Sequence, residues 1–254
     1  MLKGSWPDVT ESDHKPGTIL AIDTSTTFGS VAIVADDGPI AEVVLSVPQG
    51  HCESILPMLQ RLLSETGTRI GSPDAFAVSL GPGSFTALRI GLSTAKALSL
   101  STGKPLVGVG TLDAVSYNVA GLCTYICPII DAKRREVFYS LFRDDEGQQE
   151  KLIEYSAGRP EQAVTEISSV LRDEMAGSVA FVGDGVSLCR ERIEREMETR
   201  SVFPAPGLGI PRASSVGVLG LRLFRQNRVA DVESLEPSYV RRSDAELRRQ
   251  RSQH

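Results

Sequence analysis

Histidine is scarce in this chain: three in 254 residues, at His14, His51 and His254. No two stand at the H-x-x-x-H spacing that puts a pair of ligands on one helix face. A His-based zinc or iron site is therefore excluded, and a metalloprotease with it. Cysteine is nearly as sparse. Cys52, Cys123, Cys127 and Cys189 form no C-x-x-C, and four in a chain of this length make no disulfide framework, which points to a reducing compartment. No apolar run approaches the about 20 residues of a membrane helix. The N-terminal MLKGSWPDVTESDHKPG is polar, with two prolines and no apolar core, so no signal peptide is expected there. A cytoplasmic protein without membrane contact follows as the expectation. Excess positive charge is also lacking: the formal net charge is −5 and the pI about 5.4. Nothing global attracts nucleic acid, so any RNA contact is expected through another subunit or a local patch. No G-x-S-x-G nucleophile turn occurs. His51, Cys52 and Glu53 are neighbours in sequence, but adjacent residues at a helix start point in different directions and make no triad.

What is present is order. ILAIDTSTTFGSVAIV (19–34) is two β-rich runs about a polar turn, and IAEVVLSV (40–47) follows, which predicts an antiparallel three-stranded meander. ESILPMLQRLLSET carries Ile55, Leu59 and Leu62 at helical spacing. AFAVSL (75–80) reads as a buried strand, SFTALRIGLSTAKALSL as a helix, and PLVGV (105–109) as another strand. The pattern then returns. After a helix around 111–120, YICPIIDAKRREVFYSLF (125–142) repeats strand, Asp, turn and strand, so that Ile22-Asp23 corresponds to Ile130-Asp131. KLIEYS, a helix over 161–175 and VAFVGDGV (179–186) continue the copy, and RASSVGVLGLRLFRQN (212–227) is a last amphipathic helix. The expected organisation is a leader (1–16), a first domain (17–110), a second, degenerate domain (111–240, including helix 212–227) and a basic tail (241–254).

Three stretches carry candidate chemistry, each with two open readings. Asp23, Thr24 and Ser25 either organise Mg²⁺ and phosphate or use their side chains to satisfy turn amides. The loop from Gly81 to Gly83 turns a strand into a helix, as phosphate cradles do. It lacks the Walker lysine, and the same glycines suit a tight turn. Gly183, Asp184 and Gly185 either meet adenosine or form a simple turn. The helix beyond the first loop has Ala87, Gly91 and Ala95 four residues apart, with Leu98 continuing the row and Leu88 and Leu92 beside it. Small residues in a row let two helices approach closely. The face is either buried within the chain or presented to another one. The tail RRSDAELRRQRSQH either touches tRNA phosphate or is merely solvated.

A duplicated β-β-β-α-β-α-β unit with Asp at the end of each first strand resembles the actin-like ATPase superfamily. AIDTST, GHCESILPML, SLGPGSFTALRIGLSTAKALS, GTLDAVS and DAKRREVF, in that order over residues 18–142, resemble the TsaB (YeaZ) family, and VGDG and EPSYVRR extend the match more loosely. Ala87, Cys52 and Gly110 depart from the family's usual Gly, Ser and Ser. The resemblance implies an α/β fold of two actin-like (ribonuclease H-like) domains, each a mixed five-stranded sheet with flanking helices. It implies a role in making threonylcarbamoyladenosine (t6A) in tRNA, as a non-catalytic partner of the paralogue TsaD, with the ATPase TsaE joining and tRNA met indirectly. Homodimers in isolation and the absence of a metal or an obligatory cofactor are implied too, with ATP or ADP at most at a composite interface. It also turns the small-residue helix toward an interface formed by Ile55, Leu59, Leu62, Ala87, Leu88, Gly91, Leu92, Ala95 and Leu98. The competing reading is an ATP-dependent small-molecule kinase or weak ATPase of the same fold, using Asp23 and Gly183–Gly185.

Overall fold

The computed structural model describes residues 17–36, 38–47, 50–174 and 177–240. The leader and the basic tail read from the sequence lie outside the described residues. Two five-stranded sheets form the frame. In the first, β1 (Ile19–Asp23), β2 (Phe28–Ala35) and β3 (Gly38–Ser46) make the expected antiparallel meander. Helix α1 (Ile55–Thr66) crosses to β4 (Ala75–Gly81), and α2 (Phe85–Thr102) to β5 (Leu106–Gly110). Both of these strands are parallel to β1 in the order β3-β2-β1-β4-β5. After α3 (Thr111–Tyr117), the device repeats with β6 (Tyr125–Lys133), β7 (Glu136–Asp145), β8 (Gln148–Gly158), α4 (Pro160–Asp173), β9 (Val179–Val182), α5 (Val186–Met197) and β10 (Ser201–Val202). Its strand order and directions are the same, position for position. The doubled α/β architecture expected from the sequence is the one observed.

Period-two alternation decides which side chain meets which layer. On β1, Leu20 and Ile22 face α1 and α2, together with Phe76 and Val78 of β4. Ile19 and Ala21 face the opposite way, with Ala75, Ala77, Val107 and Val109. Both faces of the strand are covered, so all five of its residues are buried. In the second sheet, Cys127 and Ile129 meet α4 and α5, while Ile126 and Ile130 meet α3.

The last helix corrects the domain boundary drawn from the sequence. α6 (Ala213–Arg225) follows the second sheet in the chain but packs on the first, whose open face it closes with Val216 and Leu221. Small residues permit the close seat: a Cβ on Gly217 would stand 2.5 Å from Val34, and one on Gly220 2.7 Å from Ala77. Its first amides are met from that sheet, Ala213 N donating to Ser30 Oγ at 2.8 Å and Ser214 N to Glu42 Oε1 at 2.9 Å. In exchange, α3 sends Leu112 and Val115 into the core of the second sheet. The two lobes therefore trade their final helices.

Candidate functional site

Between the lobes lies a cleft of about 580 Å³, lined by Ser25, His51, the Pro82–Ala87 loop, Asp131, Lys133 and Asp184. The polar turn after β1 reaches its wall with little to offer. Asp23 is fully buried and accepts from Ser25 N at 3.0 Å and from Ser25 Oγ at 3.0 and 3.1 Å. Burial pushes its carboxyl above the ordinary range, and the Ser25 bonds pull back only in part. Thr24 Oγ1 donates to the Ala87 carbonyl at 2.7 Å, and Thr26 Oγ1 accepts from Phe28 N at 3.2 Å. This geometry favours the turn reading of Asp23, Thr24 and Ser25.

The opening loop is likewise folded onto its own chain. Ser84 N donates to Ser25 O at 2.8 Å, and a Cβ on Gly83 would lie 2.4 Å from that same oxygen. Gly83 is needed for this close approach, and Gly81 for its φ of +112°. On the facing wall, Gly183 takes φ +118°, and a Cβ there would stand 2.1 Å from Ile129 O. A Cβ on Gly185 would stand 2.7 Å from the Ile130 carbonyl carbon. Between them Asp184 Oδ1 accepts the Asp131 amide at 2.9 Å, and burial raises its pKa. Asp131 in turn accepts from Lys133 N at 2.7 Å and Lys133 Nζ at 2.8 Å, holding a run of left-handed residues, Lys133, Arg134 and Arg135. The carboxylates that a kinase would aim at Mg²⁺ and phosphate accept hydrogen bonds here from backbone amides and neighbouring side chains. Among the described residues, no group of three His, Cys, Asp or Glu is placed to hold a metal ion.

His51 is a structural post. Its Nε2 donates to Thr26 O at 2.8 Å, and its own carbonyl accepts the Ser54 and Ile55 amides that open α1. Its Nδ1 faces Gly29, where a Cβ would come within 2.9 Å.

The structure overturns the orientation given to α2 from the sequence. The small-residue face does not look outward. Ala87, Gly91 and Ala95 are buried on the first sheet, whose β4 is the main neighbour of α2, and a Cβ on Gly91 would stand 2.3 Å from Thr24 Oγ1 in the turn after β1. Leu59, Leu62, Leu88 and Leu92 are buried in the same chain. The reason is that a backbone needs small residues to approach a sheet just as it does to approach a helix. The open side of the helix pair is the adjacent one: an apolar groove of about 640 Å³ between α1 and α2. Ile55 forms part of its floor, and Leu56, Phe85, Ile90, Ala97 and Leu98 its walls, with Arg89 at the edge. Leu56 is 61% exposed there, beside the other apolar side chains of the groove. Leu98 keeps the place expected for it. Leu56, Phe85 and Ile90 were missed, although Leu56 stands one residue off the buried stripe of α1 and so had a signal in the helical spacing.

Comparison with known proteins gives this geometry its context. The family model described as "TsaD: tRNA N6-adenosine threonylcarbamoyltransferase" matches residues 44–249. A Bacillus subtilis protein named "tRNA threonylcarbamoyladenosine biosynthesis protein TsaB" is 31% identical over 237 residues, covering 91% of this chain and 97% of its own length. The chain belongs to the TsaB family. The TsaB protein of Escherichia coli is 30% identical over 231 residues, 89% of this chain and 96% of its own. Among solved structures, an uncharacterized Pseudomonas aeruginosa protein with similarity to peptidase YEAZ superposes with a TM-score of 0.75 at 25% identity, over 89% of this chain and all of its own. YeaZ from the same organism gives 0.72 at 23% identity over 88% of this chain and 99% of its own, a likeness of fold. The TsaB-family fold is therefore the actin-like pair of lobes described above.

Proposed function

We propose that this TsaB-family chain serves tRNA threonylcarbamoyladenosine synthesis as a non-catalytic subunit, docking a TsaD paralogue in the groove between α1 and α2. The groove itself is the observation that carries the reading. It is a preformed apolar trough, held by buried contacts beneath it, with Leu56 at 61% exposure on one side. The occupant is argued from the fold. A family model named for TsaD covers most of this chain, so the two proteins share the same architecture. Two chains of one architecture can pair helix pair on helix pair, in a quasi-isologous contact that completes a four-helix layer. TsaE joins that pair in the working assembly, and tRNA is met through it. A second copy of this chain is the occupant to be distinguished by the test.

The experiment is co-elution of the purified chain with TsaD from the same organism, beside the groove variants Ala97→Arg and Leu56→Asp. Both positions are exposed, so the variants fold. Wild type is expected to co-elute and both variants to elute alone. Equal binding by all three removes the groove as the docking site. Self-association lost in the variants, without any TsaD binding, would assign the groove to a second copy.

The kinase or ATPase reading has the interlobe cleft in its favour and the occupied Asp23 against it. Phosphate release from ATP and Mg²⁺ by the isolated chain, abolished in Asp23→Ala, would restore it.

A further inference from the structure

The stretch from Ala230 to Val240, which holds the EPSYV motif, has no part in the function so far, yet it is tied down at several points. From Ala230 onward the backbone crosses the first lobe as a strap. Ala230 N donates to Leu106 O at 2.9 Å, Lys96 Nζ to Glu233 O at 3.1 Å, and Ser238 N to Leu80 O at 2.7 Å. Val232 and Leu235 pack on the core beneath α1 and α2, while Val240 reaches the apolar cluster of the second lobe. The strap therefore spans from one lobe to the other.

Its tip meets α2 in a three-part stack. The Tyr239 ring lies 4.9 Å from that of Phe85 at an interplanar angle of 29°. The Arg89 guanidinium sits 3.8 Å from the centre of the Phe85 ring, and Arg89 Nε donates to Tyr239 Oη at 3.0 Å. Phe85 lines both the α1–α2 groove and the interlobe cleft; Arg89 belongs to the groove and Tyr239 to the cleft. One stack is thus the partition shared by the two depressions. Two sequence motifs about 150 residues apart, FTALR and EPSYV, supply its members.

We propose that the strap is a clasp linking the docking groove to the cleft. Tyr239 holds Phe85 and Arg89 in the positions a docking partner meets, and a seated partner in turn locks the strap across the cleft. This rests on the docking reading above. Tyr239 is 39% exposed, so core packing does not account for it. In the free chain the Arg89 contacts stand in water and are weak. A partner in the groove removes that water from one side, and both the ring–cation contact and the Arg89–Tyr239 hydrogen bond strengthen in the lower dielectric. Linkage makes the effect reciprocal: whatever factor the clasp adds to docking, docking adds to clasp closure.

The test uses the full chain and TsaD, with calorimetry for affinity and amide exchange at Ser238 and Ala230 for the strap. Tyr239→Ala is expected to bind about tenfold more weakly, and Tyr239→Phe, which keeps the ring and loses the hydroxyl, to fall between. TsaD is expected to slow exchange at Ser238 in the wild type, and to slow it less in Tyr239→Ala. Wild-type affinity in Tyr239→Ala, with binding still abolished by Ala97→Arg, overturns the clasp and leaves the docking reading intact. Absence of TsaD binding by the wild type overturns both. Should Tyr239→Ala fail to fold, the wild-type exchange arm decides: Ser238 exchange unchanged by TsaD overturns the coupling.

Discussion

Replacing Gly91 by alanine puts a methyl group 2.3 Å from Thr24 Oγ1, well inside contact distance. Thr24 is 1% exposed and its hydroxyl is bonded to the Ala87 carbonyl one turn earlier on α2. The methyl has two outlets: it turns the threonine, or it lifts the helix off the strand. Turning the threonine leaves a buried hydroxyl unpaired, at about 1–3 kcal/mol. Lifting the helix loosens Leu92 and Ala95 against the sheet, an overpacking cost of about 1–3 kcal/mol. Alanine returns about 1 kcal/mol of helix propensity over glycine. A net loss of about 1–2 kcal/mol is expected, which lowers the melting temperature of a chain this size by roughly 2–8 °C. Chemical denaturation of Gly91→Ala beside Ser93→Ala, which lies on the exposed side of the same helix, measures it. Were Gly91→Ala as stable as wild type while losing TsaD, the small-residue face would be an interface and the packing described here would be wrong.

Other consequences follow from the same contacts. Gly183→Ala adds a Cβ 2.1 Å from Ile129 O at a φ of +118°, so a loss of about 3–5 kcal/mol is expected in urea unfolding of the second lobe. Asp23 carries a raised pKa in the fold, so its ionised form costs stability above that pKa and the cost vanishes as pH falls through it. The stability advantage of Asp23→Asn over wild type is therefore expected to be largest near pH 7 and to shrink toward pH 4 in parallel denaturation series. In the native chain, alkylation at pH 8 followed by peptide mass mapping is expected to label the exposed Cys52 first and to spare Cys127 and Cys189. Burial holds the thiol of Cys189 at about 12 and that of Cys127 well above its ordinary value.

Much of the frame was legible because strand burial writes itself as alternation and apolar runs. The doubled order of elements, with Asp23 and Asp131 in matching places, is visible without coordinates. Two elements, α5 and the two-residue β10, were not. α5 is so rich in charge, with Arg190–Glu194, Arg192–Glu196 and Glu191–Arg195 pairs along it, that its narrow stripe of Val186, Cys189, Ile193 and Met197 escaped the reading. At the candidate site, the polar turn at Asp23 and the tight loops at Gly83 and Gly183 were among the alternatives read from composition. Choosing between turn and ligand site needed the distances to Ser25 and Ile129.

The sequence by itself determined the elements, their duplication and the kinship with the TsaB family, because each is written in local periodicity and in motif order. Only the tertiary structure decided which neighbour each surface meets. Ala87, Gly91 and Ala95 are equally suited to a sheet or to a foreign helix, and α6 is equally apolar whichever lobe it closes. Burial is a relation between segments distant along the chain, so periodicity specifies that a face must be covered and leaves the covering partner to the packing of the whole molecule.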